Sequence, residues 1–345
     1  MNDSFNNQPN EIIMSEEERR SHKQSFSKIC LAYLFYILIA EGVSIVVSLV
    51  LQKYYPALLE SSNALLVLTS VIQYGIALPL LIYFLKKVPS KEPEKRKIAG
   101  KEIFKYFMIA IFIMYVGNYI STIVLSYISE LIGRVPENAT SDLLSETNPI
   151  LSIIIAGILG PIVEEIMFRK LFTDRLTKYG DAIAILFPAL IFGLFHTNLY
   201  QFFYAFLIGA AFSYIYVRTG NIIYSSVLHC FINLFCGVLP SYILSTFNYE
   251  EFLNLAIEGE LTQELIMANL PSLALLGAYE FAMFAMIFLG VFFLARSFKD
   301  ITLEKGEIKF PKGTSLDVML FNPGTVILVT VCIICMALNT FAVQV

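Results

Sequence analysis

Long apolar runs alternate with short polar connections along most of the chain. A helix rises 1.5 Å per residue, so a run of about 20 apolar residues is enough to span a hydrocarbon layer ~30 Å thick. On that criterion the pattern predicts nine candidate membrane-spanning helices, at about residues 29–51, 64–85, 106–128, 149–168, 182–197, 201–217, 221–239, 271–295 and 323–343. Ahead of them, residues 1–28 (MNDSFNNQPNEIIMSEEERRSHKQSFSK) are polar and contain no short apolar stretch ending in a small-residue cleavage site. They read as a cytosolic tail, with no removable signal peptide evident. No soluble stretch exceeds roughly 30 residues, below the size of an independent domain. The expected fold class is therefore all-α: one polytopic transmembrane helical bundle over residues 29–345, with about eight to nine spans.

The basic residues test that topology independently, because Lys and Arg collect on the cytoplasmic side of membrane proteins. With the N-terminus placed in the cytoplasm and sides alternating, 4 basic residues fall in the tail, 8 in residues 86–105, 4 in 169–180, one at Arg218 and 5 in 296–312. Of the 24 Lys and Arg, only Lys53 and Arg134 are left outside. The outer segments 129–148 and 240–270 are acidic and read as loops.

Composition narrows the class further. Of 345 residues, 57% are hydrophobic and 15% charged, and the mean hydropathy is +0.69. Soluble domains carry roughly 45–50% apolar and about 25% charged residues, so a cytosolic enzyme, a secreted domain and a disordered tail are excluded. The apolar excess makes membrane lipid the expected surroundings, and a net charge of −4 is too small to suggest a nucleic-acid partner. The five cysteines are odd in number and lie in apolar runs, as buried free thiols do.

Strongly polar side chains within the spans are costly and are functional candidates for that reason. They are Glu41, Gln73, Asn118, Glu164, Glu165, Arg169, His196, His229, Asn233 and Glu280. Glu165 and Arg169 are four residues apart, on one helix face and in the favourable order for an ion pair. Glu164 is rotated ~100° from its neighbour, leaving one glutamate to be held by the arginine and one free. Phe192 and His196 share a face of the fifth span, as His229 and Asn233 do on the seventh. Glu41 and Glu280 read as interhelical hydrogen-bonding groups in preference to the lining of a water path or substrate groove. A carboxylate, two imidazoles and an amide together supply what water-dependent peptide hydrolysis needs, namely a base for water and donors for an oxyanion.

The segments EEIMFR, FGLFH and HCFIN resemble the three signature motifs of the CPBP family, the CAAX proteases and bacteriocin-processing enzymes, also called Abi proteins. Those motifs are EExxxR, FxxxH and HxxxN, in that order on successive helices, and here they lie within a catalytic core at about residues 149–239. The resemblance implies that Glu164 and His196 activate the attacking water. His229 and Asn233 would then stabilise the oxyanion, with Glu165 and Arg169 supporting the site. One departure is Lys170, where many members have glycine. A zinc ion on Glu164, His196 and His229 is the alternative chemistry; the metal-free reading is preferred.

Counting residues from the span ends places Glu164, His229 and Asn233 in the cytoplasmic half. His196, however, lies roughly 22 Å up from a helix starting at Asp181. The mismatch closes if residues 169–180 enter the bundle, or if tilt and a kink near Pro188 bring His196 down. The function expected is an intramembrane endopeptidase of a plasma membrane, bacterial in preference to endoplasmic reticulum, acting on a hydrophobic or membrane-anchored peptide. A prenylated CAAX tail and a leader or signalling peptide are both open as substrates. The alternative is a non-catalytic scaffold, or a self-immunity or transport protein of the same fold.

Overall fold

The computed structural model describes residues 14–136 and 138–341; the first 13 residues of the polar tail lie outside the described residues. Among the described residues the chain is helical, with one isolated bridge, Gly180 to Lys305, and no strand. Eight helices are long and apolar enough to cross a membrane: α1 (Glu16–Tyr54), α2 (Ser62–Leu85), α3 (Gly100–Ile132), α4 (Pro149–Arg175), α6 (Leu199–Thr219), α7 (Ile222–Ser245), α8 (Leu270–Asp300) and α9 (Pro323–Phe341). Between α4 and α6 lies α5 (Asp181–Phe195), of 15 residues. At ~22 Å it is too short to cross a ~30 Å layer unaided.

Contacts between connections define two ends of the bundle. At one end the Lys91 amide bonds the Asp174 carbonyl at 2.8 Å, and the Arg96 amide bonds that of Thr219 at 2.7 Å. His22 meets the Tyr179 hydroxyl at 3.1 Å, and Arg218 pairs with Glu304 at 2.9 Å. At the other end the Asn148 amide donates to Asn63, Tyr200 to the Pro136 carbonyl, and Asn339 to the Thr197 carbonyl. The nine helices run alternately between these ends, α5 included. The segments that carry most of the basic residues gather at a single end, as the charge pattern predicts.

Local chemistry explains where the elements start and stop. Ser15 caps α1 through a reciprocal box with Glu18, so residues 16–28 of the expected tail are helical and continuous with the first span. Asn198 and Asn221 cap α6 and α7. Gly220 ends α6 at φ 59°, where a Cβ would lie 2.5 Å from the carbonyl oxygens of Pro93 and Glu94. The 240–270 connection, expected as a loop, contains the helices Tyr249–Glu258 and Gln263–Ala268. Small residues let helices approach, as in other membrane bundles: a Cβ on Gly324 would meet the Ser27 carbonyl at 2.2 Å, and one on Gly290 the Met108 carbonyl at 2.3 Å.

Aromatic side chains fill the interior between α1, α4 and α5. Phe168 packs edge-on to Phe192 and Phe195, and Phe172 lies against Tyr33 and Phe187. Leu49, Phe281 and Phe288 are exposed on the outer surface, an apolar exterior suited to lipid. Glu41 and Glu280 correct the expectation made for them: both are exposed, and neither forms a hydrogen bond or ion pair among the described residues. Both side chains open to the outside of the bundle, and Glu280 lies within electrostatic range of Tyr115 of α3. All five thiols are free.

Residues 169–180 do enter the bundle. Arg169, Phe172, Thr173, Asp174, Arg175, Leu176 and Tyr179 are all buried. The chain turns back inside the protein through 3₁₀ turns at Thr173–Arg175 and Thr177–Tyr179. This first of the two anticipated routes lets a short α5 suffice.

The helix Thr314–Leu320 is pinned to α1 by Asp317, which pairs with Arg19 at 2.7 Å and Lys23 at 2.9 Å. The hydrogen bonds from Lys23 and Arg19 hold the Asp317 carboxyl below its ordinary 3.8. A carboxylate depressed in the folded state stabilises above its unfolded pKa, and that contribution is lost as pH falls through the folded value. Thermal unfolding in detergent from about pH 7 to about pH 3 is therefore expected to show the wild type more stable than Asp317→Asn above ~pH 4. The gap should close below that; a gap independent of pH would show that the ion pairs contribute nothing.

Candidate active site

The motif residues lie on α4, α5 and α7. Glu164 and Glu165 end a short α-helical stretch of α4, Gly160–Glu165, with π-helical turns on either side at Ile153–Leu159 and Ile166–Phe172. Another π turn, Leu234–Val238, comes directly after Asn233. Such turns are rare and concentrate at functional sites, because each extra residue rotates the rest of the helix by ~100°. Here a π turn presents the Ala156 carbonyl to the Asn233 amide, which donates to it at 3.1 Å.

Glu165 and Arg169 are both fully buried and form a bidentate pair, Nε to Oε2 at 3.0 Å and Nη2 to Oε1 at 3.1 Å. Arg169 also donates from Nη1 to Ser213 of α6 at 2.9 Å, and its guanidinium lies 5.7 Å from the centre of the Phe192 ring. Burial of two charges is tolerable because nearly every donor and acceptor is engaged. His229 joins the same group: Nδ1 is 3.1 Å from Oε1 of Glu165, and Nε2 is 3.6 Å from Oε2 of Glu164. A carboxylate can only accept, so Nδ1 carries a proton and donates it to Glu165.

Glu164 differs from its neighbour in environment. Its side chain is 30% exposed whereas that of Glu165 is 0% exposed. His196 closes α5, where Nδ1 bonds the Phe192 carbonyl at 2.8 Å. A carbonyl accepts, which places the ring proton on Nδ1 and leaves Nε2 an acceptor in the neutral form. The next residue, Thr197, has φ 46°, a left-handed conformation that a β-branched residue adopts only where surroundings impose it. Asn339 of α9 supplies part of that restraint by donating to the Thr197 carbonyl at 2.9 Å.

The structure thus joins Glu164, Glu165, Arg169 and His229 in one contiguous network. Asn233 lies one turn beyond His229 and is engaged with Ala156. His196 shares the Phe192 ring with His229, at centroid distances of 4.8 and 5.9 Å, and forms no hydrogen bond or ion pair with Glu164. Glu164 is therefore nearer to His229 than the pairing with His196 implied.

A family model described as Type II CAAX prenyl endopeptidase Rce1-like matches residues 146–235, which hold all seven fixed residues of the three motifs. The "Putative membrane peptidase YdiL" of Bacillus subtilis (strain 168) is 30% identical over 179 residues, covering 50% of this chain and 71% of that protein. The chain belongs to this family of CAAX-type membrane peptidases. A second relative, the "UPF0177 protein YxdF" of Lactococcus lactis subsp. lactis (strain IL1403), is 27% identical over 138 residues, 40% of this chain and 76% of that protein. No solved structure matches. Eight span-length helices and membership of this family make the chain an integral membrane protein.

Lys170, the departure from the family pattern, has a structural role. It pairs with Glu92 of the 86–99 connection at 2.9 Å and lies 5.4 Å from the centre of the Tyr216 ring. The ammonium holds the Glu92 carboxyl below its usual range, and the contact fastens the connection across the end of the bundle.

Several residues around the site carry no signal in the sequence. Tyr36 of α1, Tyr74 of α2 and Tyr204 of α6 converge within electrostatic range of the Glu164 carboxylate. The Tyr74 hydroxyl lies 3.2 Å from where a Cβ on Gly160 would sit, one turn before Glu164 on the same helix face. A side chain at position 160 would press on that phenol and on the Ile155 carbonyl, also at 3.2 Å. Ser213 is likewise an ordinary serine in an apolar helix until folding brings Arg169 to it.

For the zinc alternative, His196 and His229 each commit Nδ1 to a protein acceptor and keep Nε2, and that of His229 lies 3.6 Å from Oε2 of Glu164. Among the described residues no three His, Cys, Asp or Glu side chains are placed to hold a metal ion.

The two adjacent glutamates should respond differently to neutralisation. Glu165→Gln strands a buried guanidinium and is expected to destabilise the protein by roughly 3–5 kcal/mol, whereas Glu164→Gln should change stability by less than about 1 kcal/mol. Thermal unfolding of the two variants in one detergent checks this; equal losses would contradict the division.

Proposed function

We propose that this protein is an intramembrane endopeptidase that hydrolyses a peptide bond near the cytoplasmic face of a bacterial plasma membrane, with its N-terminus and basic end in the cytoplasm. The observation that carries this reading is the asymmetry of the glutamate pair: one carboxylate is sealed against an arginine, and its neighbour is accessible beside an imidazole. General acid–base chemistry requires a carboxylate that water can reach and that a second group can orient.

In this mechanism Glu164 takes a proton from water while Nε2 of His196 accepts a hydrogen bond from it. The water oxygen then attacks the scissile carbonyl carbon, and the carbonyl oxygen becomes an oxyanion. His229 and Asn233 stabilise that charge. For His229 to donate from Nε2 while Nδ1–H serves Glu165, the ring must hold both protons; the Glu165 carboxylate faces that charge throughout, and the oxyanion faces it once Glu164 has taken up the water proton. Asn233 has one amide hydrogen left after the bond to Ala156. Collapse of the intermediate breaks the C–N bond, and Glu164 returns its proton to the leaving amine. Glu165 and Arg169 hold His229 in place, and no step is routed through a metal.

A hydrophobic or membrane-anchored peptide fits the surroundings. An apolar cavity of about 550 Å³ lies between α4 and α7, the helices that carry Glu164 and His229, lined by Ile158, Ile162, Ile166, Val227 and Phe231 among others. Such a surface can hold the apolar part of a substrate in the bilayer while its cleavage site enters from the side.

Comparing membrane peptidomes of the wild type with Glu164→Ala and, separately, His196→Ala tests the proposal. Processing is expected to fall by about 10²–10⁴-fold in each variant at equal protein level. Processing that persists unchanged in both would sink it. Asn233→Ala is expected to lower turnover by roughly 10²–10³-fold, as loss of one oxyanion donor does, with substrate affinity largely kept.

A further inference from the structure

We propose that the cleft between the start of α1 and the start of α9 is a binding site for one anionic glycerophospholipid, independent of the catalytic reading. The cleft has a volume of about 360 Å³ and is lined by Arg20, Lys23, Gln24, Ser27, Lys28 and Pro323. The α1 residues among them recur at helical spacing, so they form one stripe facing α9. The floor is where the two helices touch, with the Gly324 amide donating to the Ser27 hydroxyl at 3.0 Å.

Charge and depth identify the ligand. Lys23 is already tied to Asp317 at 2.9 Å, whereas Arg20 and Lys28 form no hydrogen bond or ion pair among the described residues. They lie eight residues apart, about 12 Å along the helix, and their long side chains can converge on a group between them. Beyond Lys28 the same stripe of α1 continues through Leu31 to the exposed Leu38, and α9 exposes Val326 and Ile327. The cleft therefore straddles the level where a lipid phosphate gives way to its acyl chain. Two uncompensated cations above an apolar wall match an anionic lipid: the phosphate bridges Arg20 and Lys28, and a chain runs along the α1–α9 seam. A zwitterionic lipid would bring an ammonium against the same cations, and inorganic phosphate would leave the apolar wall unused.

Native mass spectrometry of the full chain, delipidated in neutral detergent and titrated with phosphatidylglycerol, phosphatidylcholine or inorganic phosphate, tests the site. The wild type is expected to retain one phosphatidylglycerol. Arg20→Gln/Lys28→Gln should weaken that binding roughly tenfold or more, with unchanged binding of phosphatidylcholine. Lys299→Gln/Lys309→Gln, which removes two other exposed lysines from the same end of the bundle, should bind phosphatidylglycerol as the wild type does. Thermal unfolding of both double variants without lipid, expected to match the wild type, checks that they are folded. Equal losses in the two double variants would mean diffuse charge attraction and overturn the site. No loss in Arg20→Gln/Lys28→Gln, or inorganic phosphate binding as tightly as the lipid, would overturn it as well.

Discussion

The buried pair of Glu165 and Arg169 constrains more of this structure than any other contact. Two opposite charges with no access to water are tolerable only if their remaining hydrogen-bonding capacity is met, and breaking such a pair costs about 3–5 kcal/mol. The partners come from different helices. Ser213 of α6 takes one arginine N–H, His229 of α7 donates to the glutamate, and the Phe192 ring of α5 lies beside the guanidinium. Helices α4, α5, α6 and α7 must therefore meet at one place. The pair also orients His229 through its Nδ1–H, so the same interaction that ties the bundle together sets that ring beside Glu164.

Adjacency along α4 then separates the roles of two identical side chains. A rotation of ~100° is all that distinguishes Glu164 from Glu165, yet one is enclosed and the other is partly exposed beside His229, with three tyrosines in electrostatic range. Groups of the same type become a structural anchor and a candidate base by environment alone. The π turns flanking this stretch, and the one after Asn233, place both sets of residues at points where helical register changes. Register changes of this kind let α4 serve a buried pair and an open site within two consecutive residues.

The end of the bundle that carries the basic connections is built for attachment as well as topology. Residues 86–99 are fastened to α4 and α6 by the Lys170–Glu92 pair and by backbone bonds to Asp174 and Thr219. The buried turns at 173–179 shorten the path that α5 has to cover. A left-handed Thr197, held by Asn339, then stops α5 directly after His196. Thus the position of His196 depends on contacts with α9, more than a hundred residues away in the chain.

Hydropathy, charge and helical spacing are one-dimensional properties, and the features that depend on them were legible in the sequence. They determined the helical membrane class, the alternation of nine segments between two ends, the gathering of basic connections at one of them and the pairing of Glu165 with Arg169 four residues on. The motif spacing located all seven motif residues within the stretch that the family model matches. Contacts between distant segments were beyond its reach: His229 bracketed by both glutamates, Ser213 on Arg169, the tyrosines around Glu164, and the helical continuation of α1 into the polar tail against Asp317. Glu41 and Glu280 read as hydrogen-bonding groups because polarity is visible in a sequence and direction is not. Only tertiary packing decides which face of a helix looks inward, and that choice made one glutamate a buried partner and left its neighbour open to water.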